Sequence, residues 1–442
     1  MVERRTLIGL TGLLALPAAR ALAQATAAAP ETAPAETPAR DMEPYAWMGE
    51  VSAHGRYVPA LETARRYQRG STSNQLEGAA QASGLVGLEG WALRAHEAAT
   101  GVKAPSEEDR AKARNVLNGA SAVPAIEAPA ARARGRQIVI INEAHHVSRH
   151  RAFTRQLGAR LRRDGFAWFA AETFQRPIDD LRSGVVFTHQ MGNYSNDPIF
   201  AETVRSLREV GYRFVAYDYD ETGRPFPTDL AQQLTERDGR AARHLVEKVF
   251  DKDPHARLLV HVGYSHLSKL PVPLNGHAVP TLATLLHEHT GFDPLCIDQI
   301  TYTPASTPKL DRAILSEALD RFAPTEPVLV RTADGLPLEA PRKDVDEVVF
   351  HPRTPAVLGR SGWRMIVPGS RPVLVDARPA QAASCQILHA FHDDEASAGA
   401  TPADMVVLQP ADTTVALALR PGRYRLRGET TDGFVELGPL KV

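Results

Sequence analysis

Cysteine is nearly absent from this 442-residue chain: Cys296 and Cys385 are the two it has. Two thiols exclude a disulfide scaffold, while a pairing between them and two separate buried thiols both stay open. Net charge is lacking as well. At a formal −1 and a pI near 7.0, no global field draws the chain to nucleic acid or to acidic lipid, so neither is an expected partner. The apolar run from Leu7 to Ala19 is too short for a permanent spanning helix, and no stable membrane anchor is expected. Two motifs are missing too. Without G-x-S-x-G there is no serine elbow of the α/β-hydrolase kind, and without H-E-x-x-H there is no helical zinc-protease pair. No repeat of fixed period is visible.

What is present begins with MVERRTLIGLTGLLALPAARALAQA. Arg4 and Arg5 precede the apolar run, and Ala21-Leu22-Ala23 offers small residues for cleavage. This predicts a signal peptide over 1–23 and a periplasmic or secreted protein. The paired arginines match part of the twin-arginine export pattern. No cysteine follows the cleavage point, which argues against a lipid anchor. Residues 24–41 are almost wholly Ala, Pro, Thr and Glu, a composition that buries too little apolar surface to order itself.

A chain of this length calls for two or three domains. Residues 42–131 alternate helical stretches with Gly, Ser and Pro breaks and read as a helical N-terminal part that packs on the core. From 132 to 305 strand and helix patterns alternate. Strands are expected at Gln137–Ile141, Phe166–Ala171, Tyr212–Tyr217, Arg257–Val262 and Pro294–Ile297, with helices between them at Ser148–Arg163, Pro198–Val210, Thr228–Phe250 and Thr281–His289. Such alternation predicts an α/β fold whose core is a mainly parallel sheet flanked by helices. A connecting helix comes next, over 306–322. Short Pro-bounded β segments over 323–442 then predict a β-sandwich-like accessory domain.

Polar residues gather where the core strands stop. The first ends in NEAHH (Glu143, His145, His146), the second in AAETF (Glu172), the third in AYDYDE (Asp218, Asp220, Glu221), the fourth in HVGYSH (His261, Gly263, His266) and the fifth in CIDQ (Asp298). Parallel strands place these ends on one sheet edge, where ligands bind in open α/β folds. Eleven of the 16 histidines fall between His145 and His289, so imidazoles concentrate in the core. Bland roles exist for each: Ser148 as a helix cap, Asp218 to Glu221 as a solvated loop, His261 facing a helix because it alternates with Val260 and Val262, His287 and His289 at a helix end. The sets on the first and fourth strands survive these discounts best.

Carboxylates and imidazoles so gathered fit a catalytic divalent ion with an open position for water, a metal-free histidine base acting on water, or ligation of haem iron. Spacing does not separate the three.

At NEAHH, AAETF and HVGYSH the chain resembles the superfamily joining erythromycin-esterase-like hydrolases, ChaN-like haem-binding proteins and the Tiki, TraB and GumN-type proteins. The hallmarks are Gly-Glu followed shortly by His after the first strand, Glu after the second, and G-x-x-H after a later one. Here they fall on Glu143 with His145 or His146, on Glu172, and on Gly263 with His266. TERDGRAARHL, with Arg237 and Asp238, is similar to the helix entering before the G-x-x-H strand. Asn142 departs from the pattern, since Gly is usual there. The likeness spans about 136–300 and implies an α/β core with its site at the strand ends. In two branches it implies hydrolysis, of esters by histidine-activated water or of peptides with a metal; in a third it implies haem binding. The expectation is therefore an exported hydrolase acting on a small-molecule or peptide substrate. Its catalytic set is Glu143, His146 and His266 with Glu172 in support, and His145 and His261 are candidate cofactor ligands. If a divalent metal ion is the cofactor, its ligands come from Glu143, His145, His146 and His266. The alternative is a non-catalytic periplasmic haem- or metal-binding protein.

Overall fold

Ile138, Val139, Ile140 and Ile141 are fully buried on both faces of the sheet, and that is why an unbroken branched run forms a central strand. Each such side chain contributes roughly 1.5–3 kcal/mol by leaving water. Val139 and Ile141 pack with Phe153, Leu157 and Leu161 of the following helix, Ser148–Arg162. Ile138 and Ile140 pack on the opposite face with Ala241 and Leu245 of helix Leu230–Leu245 and with Leu282 and Leu286 of helix Leu282–Thr290.

The computed structural model describes residues 44–67, 71–182, 184–219, 227–338, 343–396 and 399–442. The expected signal peptide, the Ala/Pro linker, Asp220 and Glu221 lie outside them. In chain order the strands are β1 (Ser121–Pro124), β2 (Ile138–Glu143), β3 (Trp168–Ala171), β4 (Arg213–Val215) and β5 (Leu258–Gly263), then the hairpin β6 (Val272–Leu274) and β7 (His277–Val279), then β8 (Leu295–Tyr302), β9 (Val328–Arg331) and β10 (Glu347–Phe350). One eight-stranded sheet has the order β1-β9-β10-β8-β2-β5-β3-β4. From β10 to β4 every neighbouring pair is parallel, and β9 is antiparallel to both β1 and β10. The predicted α/β core with a mainly parallel sheet is what forms. The chain moves outward from β2 to β3 and β4, returns to insert β5 between β2 and β3, and crosses β2 to reach β8. The strand order thus reverses around β2 and β5, the kind of switch point at which open α/β sheets bind ligands.

Beyond the core, β11 (Arg371–Asp376) pairs antiparallel with β14 (Thr414–Leu419), and β12 (Ile387–His392), β13 (Asp404–Val407), β15 (Arg423–Glu429) and β16 (Phe434–Lys441) make a four-stranded antiparallel sheet. Val375 and Leu417 of the first sheet share an apolar core with Leu388, Val406 and Leu426 of the second. This is the sandwich-like texture expected from the sequence, but it starts later. The segments around 328–331 and 347–350, expected in the accessory domain, complete the large sheet. The helical N-terminal part is wedged against the β-rich end: Trp47, Val51, Tyr57 and Leu61 pack with Ile387, Met405 and Val407. The Glu429 carboxylate accepts from the Tyr57 and Val58 amides and from Arg56. Cys296 and Cys385 are both buried free thiols.

Candidate active site at the carboxyl edge of the sheet

Glu143 is the last residue of β2 and pairs in register with Gly263, the last of β5. Its carboxylate is 2% exposed and meets a guanidinium: Arg151 Nε lies 2.6 Å from Oε2 and Nη2 3.1 Å from Oε1. Arg151 belongs to the first turn of the helix after β2, and it also binds Asp197 Oδ2 at 2.6 Å and the His145 carbonyl at 2.7 Å. Burial alone would raise the Glu143 carboxyl, but Arg151 and then His261 reverse that and hold it well below the usual carboxylate range. An ionised Glu143 can only accept hydrogen bonds. The His145 Nδ1, 2.9 Å from Oε1, is therefore the donor, which leaves Nε2 as the ring nitrogen free to act.

The His145 ring is fixed from two sides. Tyr194 stacks on it at 4.0 Å between centroids and 16° between planes, and Tyr264 meets it edge-on at 4.9 Å. Tyr264 has φ 43°, an uncommon value for a non-glycine residue, and its amide donates to the Glu143 carbonyl at 3.0 Å. His145 Nε2 faces Glu172 Oε1 at 4.0 Å. Glu172 follows β3 and is anchored by Arg237 at 2.5 Å and by the Gly263 amide; Arg237 in turn binds Asp218. Burial raises the Glu172 carboxyl, yet Arg237, His266 and His145 outweigh it and keep it ionised. His266 donates from Nδ1 to Asp238 Oδ2 at 2.8 Å, and that oxygen also accepts the Leu282 amide at 2.9 Å. Burial would lower the His266 pKa, but Asp238 and Glu172 raise it above its ordinary value. Gly263 makes the convergence possible. A Cβ there would sit 2.6 Å from His145 Cε1 and 2.7 Å from Glu172 Oε2.

Of the residues singled out from sequence, Glu143, His145, Glu172 and His266 thus belong to one connected array. His261 faces a helix, as its alternation with Val260 and Val262 suggested, binding Thr154 Oγ1 through Nδ1 at 3.0 Å. It still reaches the array, since its Nε2 lies 2.9 Å from Glu143 Oε2, out of line for a hydrogen bond. His146 turns away. Its ring stacks on His96 at 4.1 Å, and burial, with His96 beside it, holds its pKa well below the usual range. Neighbours in a tight turn point in different directions, so it is the His145 ring and not the His146 ring that joins the array. Asn142 is a scaffold residue whose amide donates to Asp298 at 2.7 Å and to the Tyr264 carbonyl at 2.9 Å. Ser148 is not the cap: Val147 holds that place, and the Ser148 hydroxyl donates to the Gly84 carbonyl.

The metal set expected from sequence does not come together. Both Glu143 oxygens are engaged, and the Arg151 guanidinium repels a cation brought beside them. Among the described residues, the metal-donor side chains with ligand spacing are Glu77, His96 and His146, whose donor atoms all lie within 4.8 Å of one another. The His145 ring is packed between two tyrosines beside a recess of about 10 Å³, the room of one water. Sequence reasoning missed Arg151, Asp197, Tyr194, Glu77 and His96. Arg151 carries no local signal beyond following the NEAHH turn, and Glu77 and His96 sit on helices far upstream.

No family model and no curated protein matches the chain. Solved structures similar to it include RRSP, a MARTX toxin effector domain from Vibrio vulnificus, 17% identical over 62% of this chain and 67% of that one, with a TM-score of 0.30. The C-terminal region of Pasteurella multocida toxin, described as having a thiol-protease-like catalytic triad, is 13% identical over 51% of this chain and 30% of that one, TM-score 0.32. A structure described as bacterial protein toxins is 16% identical over 60% and 68%, TM-score 0.29.

Proposed function

We propose that the chain is a hydrolase of ester or peptide-type bonds in which His145 activates water. The observation that carries this is the array Asp197–Arg151–Glu143–His145, which presents a fixed imidazole nitrogen to Glu172 at the switch point of the sheet. Glu143 holds the ring in one tautomer and offsets the charge that arises when Nε2 takes a proton from water. The hydroxide so formed adds to the substrate carbonyl carbon, and the carbonyl oxygen takes the negative charge. His266, whose pKa Asp238 and Glu172 raise, supplies in its protonated form a cationic N–H for that oxygen or for the leaving group, and Arg237 adds positive charge beside it. Collapse of the intermediate breaks the ester or amide bond, and the proton held by the imidazole passes to the departing oxygen or nitrogen.

The resemblance at NEAHH, AAETF and HVGYSH supports membership of the erythromycin-esterase-like, ChaN-like and Tiki superfamily, on its hydrolytic side. The basic and apolar N-terminal sequence supports export and removal of about the first 23 residues. N-terminal sequencing of the protein from its native host checks that, and an intact Met1 refutes it. The activity is tested with p-nitrophenyl esters and fluorogenic peptides. His145→Ala and Glu143→Gln should each lower kcat at least a hundredfold, within the usual range for a positioned base. His287→Ala, on an exposed helix end, should leave it unchanged. Wild-type rates in both site variants would sink the proposal.

A further inference from the structure

Helices Ser73–Leu85 and Glu89–Thr100 are joined through Gly87 and form a hairpin over the turn that follows β2. The first of them is built to come close. Gly78, Ala79, Ala80, Ala82, Ser83 and Gly84 are all buried, and a Cβ on Gly84 would lie 2.5 Å from the His146 carbonyl oxygen. At that contact the helix brings a carboxylate inward. Glu77 is 1% exposed, and neither of its oxygens has a hydrogen-bond partner among the described residues. His96 approaches from the second helix, its Nδ1 2.8 Å from Glu77 Oε1 but not aligned as a hydrogen bond. His146 comes from the turn below, with Nδ1 buried and unpartnered, and the Gln81 Oε1, one helical turn beyond Glu77, is unpartnered too.

Leaving a buried polar atom unsatisfied costs about 1–3 kcal/mol, and more when it is charged. A Glu77–His96 ion pair alone would leave the second carboxylate oxygen, the His146 nitrogen and the Gln81 oxygen without partners. One cation satisfies the carboxylate and both imidazoles together. We propose that Glu77, His96 and His146 bind a single divalent transition-metal ion of the zinc class, which pins the helical hairpin to the turn carrying His145. One oxygen and two imidazole nitrogens form a donor set suited to such an ion rather than to calcium or magnesium, and bonds of ~2.0–2.2 Å draw the three donors together by small side-chain rotations. Three protein ligands leave a fourth position for water. His96, whose side chain is 19% exposed, lies on the open side of the cluster.

The test needs no substrate, so it stands apart from the hydrolase proposal. The purified full chain is dialysed against Zn²⁺, freed of excess, and assayed for metal. About one equivalent per chain is expected. Glu77→Gln, His96→Ala and His146→Ala should each weaken Zn²⁺ binding at least tenfold, while His287→Ala keeps the wild-type value. On the wild-type chain a chelator should lower Tm and added Zn²⁺ restore it, a readout that holds even if a variant fails to fold. Zinc at background level in the wild type, or full zinc retention in His96→Ala and Glu77→Gln, overturns the proposal.

Discussion

His145 and His146 share a peptide bond and nearly the same burial, 4% and 3% exposed, yet their rings enter opposite surroundings. One is held by an ionised glutamate that an arginine neutralises, and the other lies in a carboxylate–imidazole cluster whose atoms lack partners. Arg151 stands on the Glu143 side, bound to that carboxylate and to the His145 carbonyl. It is the lone cation in direct contact with both Glu143 and Asp197 among the described residues, so Arg151→Leu takes the principal counter-charge from two buried carboxylates. Urea unfolding should show a loss of about 3–5 kcal/mol, the range for breaking a buried pair from one side. A value within error of wild type would show that Glu143 is not ionised. His266 gives a prediction in pH. Asp238 and Glu172 raise its pKa, with Arg237 opposing, so the pair with Asp238 stabilises the fold fully below the unfolded imidazole value of about 6.5. That contribution is lost as pH rises through the higher folded value. Compared with wild type, His266→Gln should be destabilised most in mild acid and progressively less toward alkaline pH, and a gap that widens with pH would contradict the assignment. Activity of the wild type should fall over the same alkaline limb.

At the scale of the element, the array depends on where β2, β3 and β5 stop. Their registers place Glu143 beside Gly263 and Ala171 beside His261, so His145 and Glu172 come within reach of each other across one glycine. Gly263→Ala inserts a methyl between them. Overpacking of this kind costs about 1–3 kcal/mol, and either His145 or Glu172 must leave its position. The expected outcome is a folded chain with kcat lowered at least tenfold, read by steady-state kinetics beside a melting curve; unchanged kcat would mean that the two side chains do not act together. These strands were legible in sequence because β2 and β5 are short branched runs and β3 a short apolar one, each followed by polar residues, and the helices between them repeat at helical spacing. The carboxylates and imidazoles at strand ends were legible for the same reason. Which way each points was not. Two adjacent histidines in a turn carry no signal of orientation, and Arg151 becomes part of the site because the helix after β2 folds back over Glu143. Likewise β9 and β10 read as sandwich strands, because a strand antiparallel to one neighbour and buried in a mixed sheet has the same pattern as one in a sandwich.

Across the described residues, the large sheet runs over the boundary the sequence suggests, because β9 and β10 belong to it. β10 is hydrogen-bonded to β8 and β9 to β1, and Glu347 of β10, 1% exposed, is neutralised by Arg331 of β9 and by Arg132, which precedes β2. His351 reaches Gln299 of β8 at 3.2 Å. Further on, Glu429 of β15 accepts from the Tyr57 and Val58 amides, and its other partners are Arg56 and His389, so the N-terminal helices depend on the last sheet for their apolar contact and for these acceptors. A chain cut after Phe322 loses two strands of the large sheet and exposes β8 as a long, apolar edge, an arrangement prone to aggregate. It also strips the partner of Trp47, Val51 and Leu61, which belong to the layer that holds Glu77 and His96 over the His145 turn. The expected outcome for a protein ending at Phe322 is therefore no cooperative unfolding transition by circular dichroism and recovery in aggregates. A soluble product that melts in one sharp step and keeps the wild-type Tm would show that β1–β8 with their helices form a core of their own, and that β9 and β10 are attached to it without being needed.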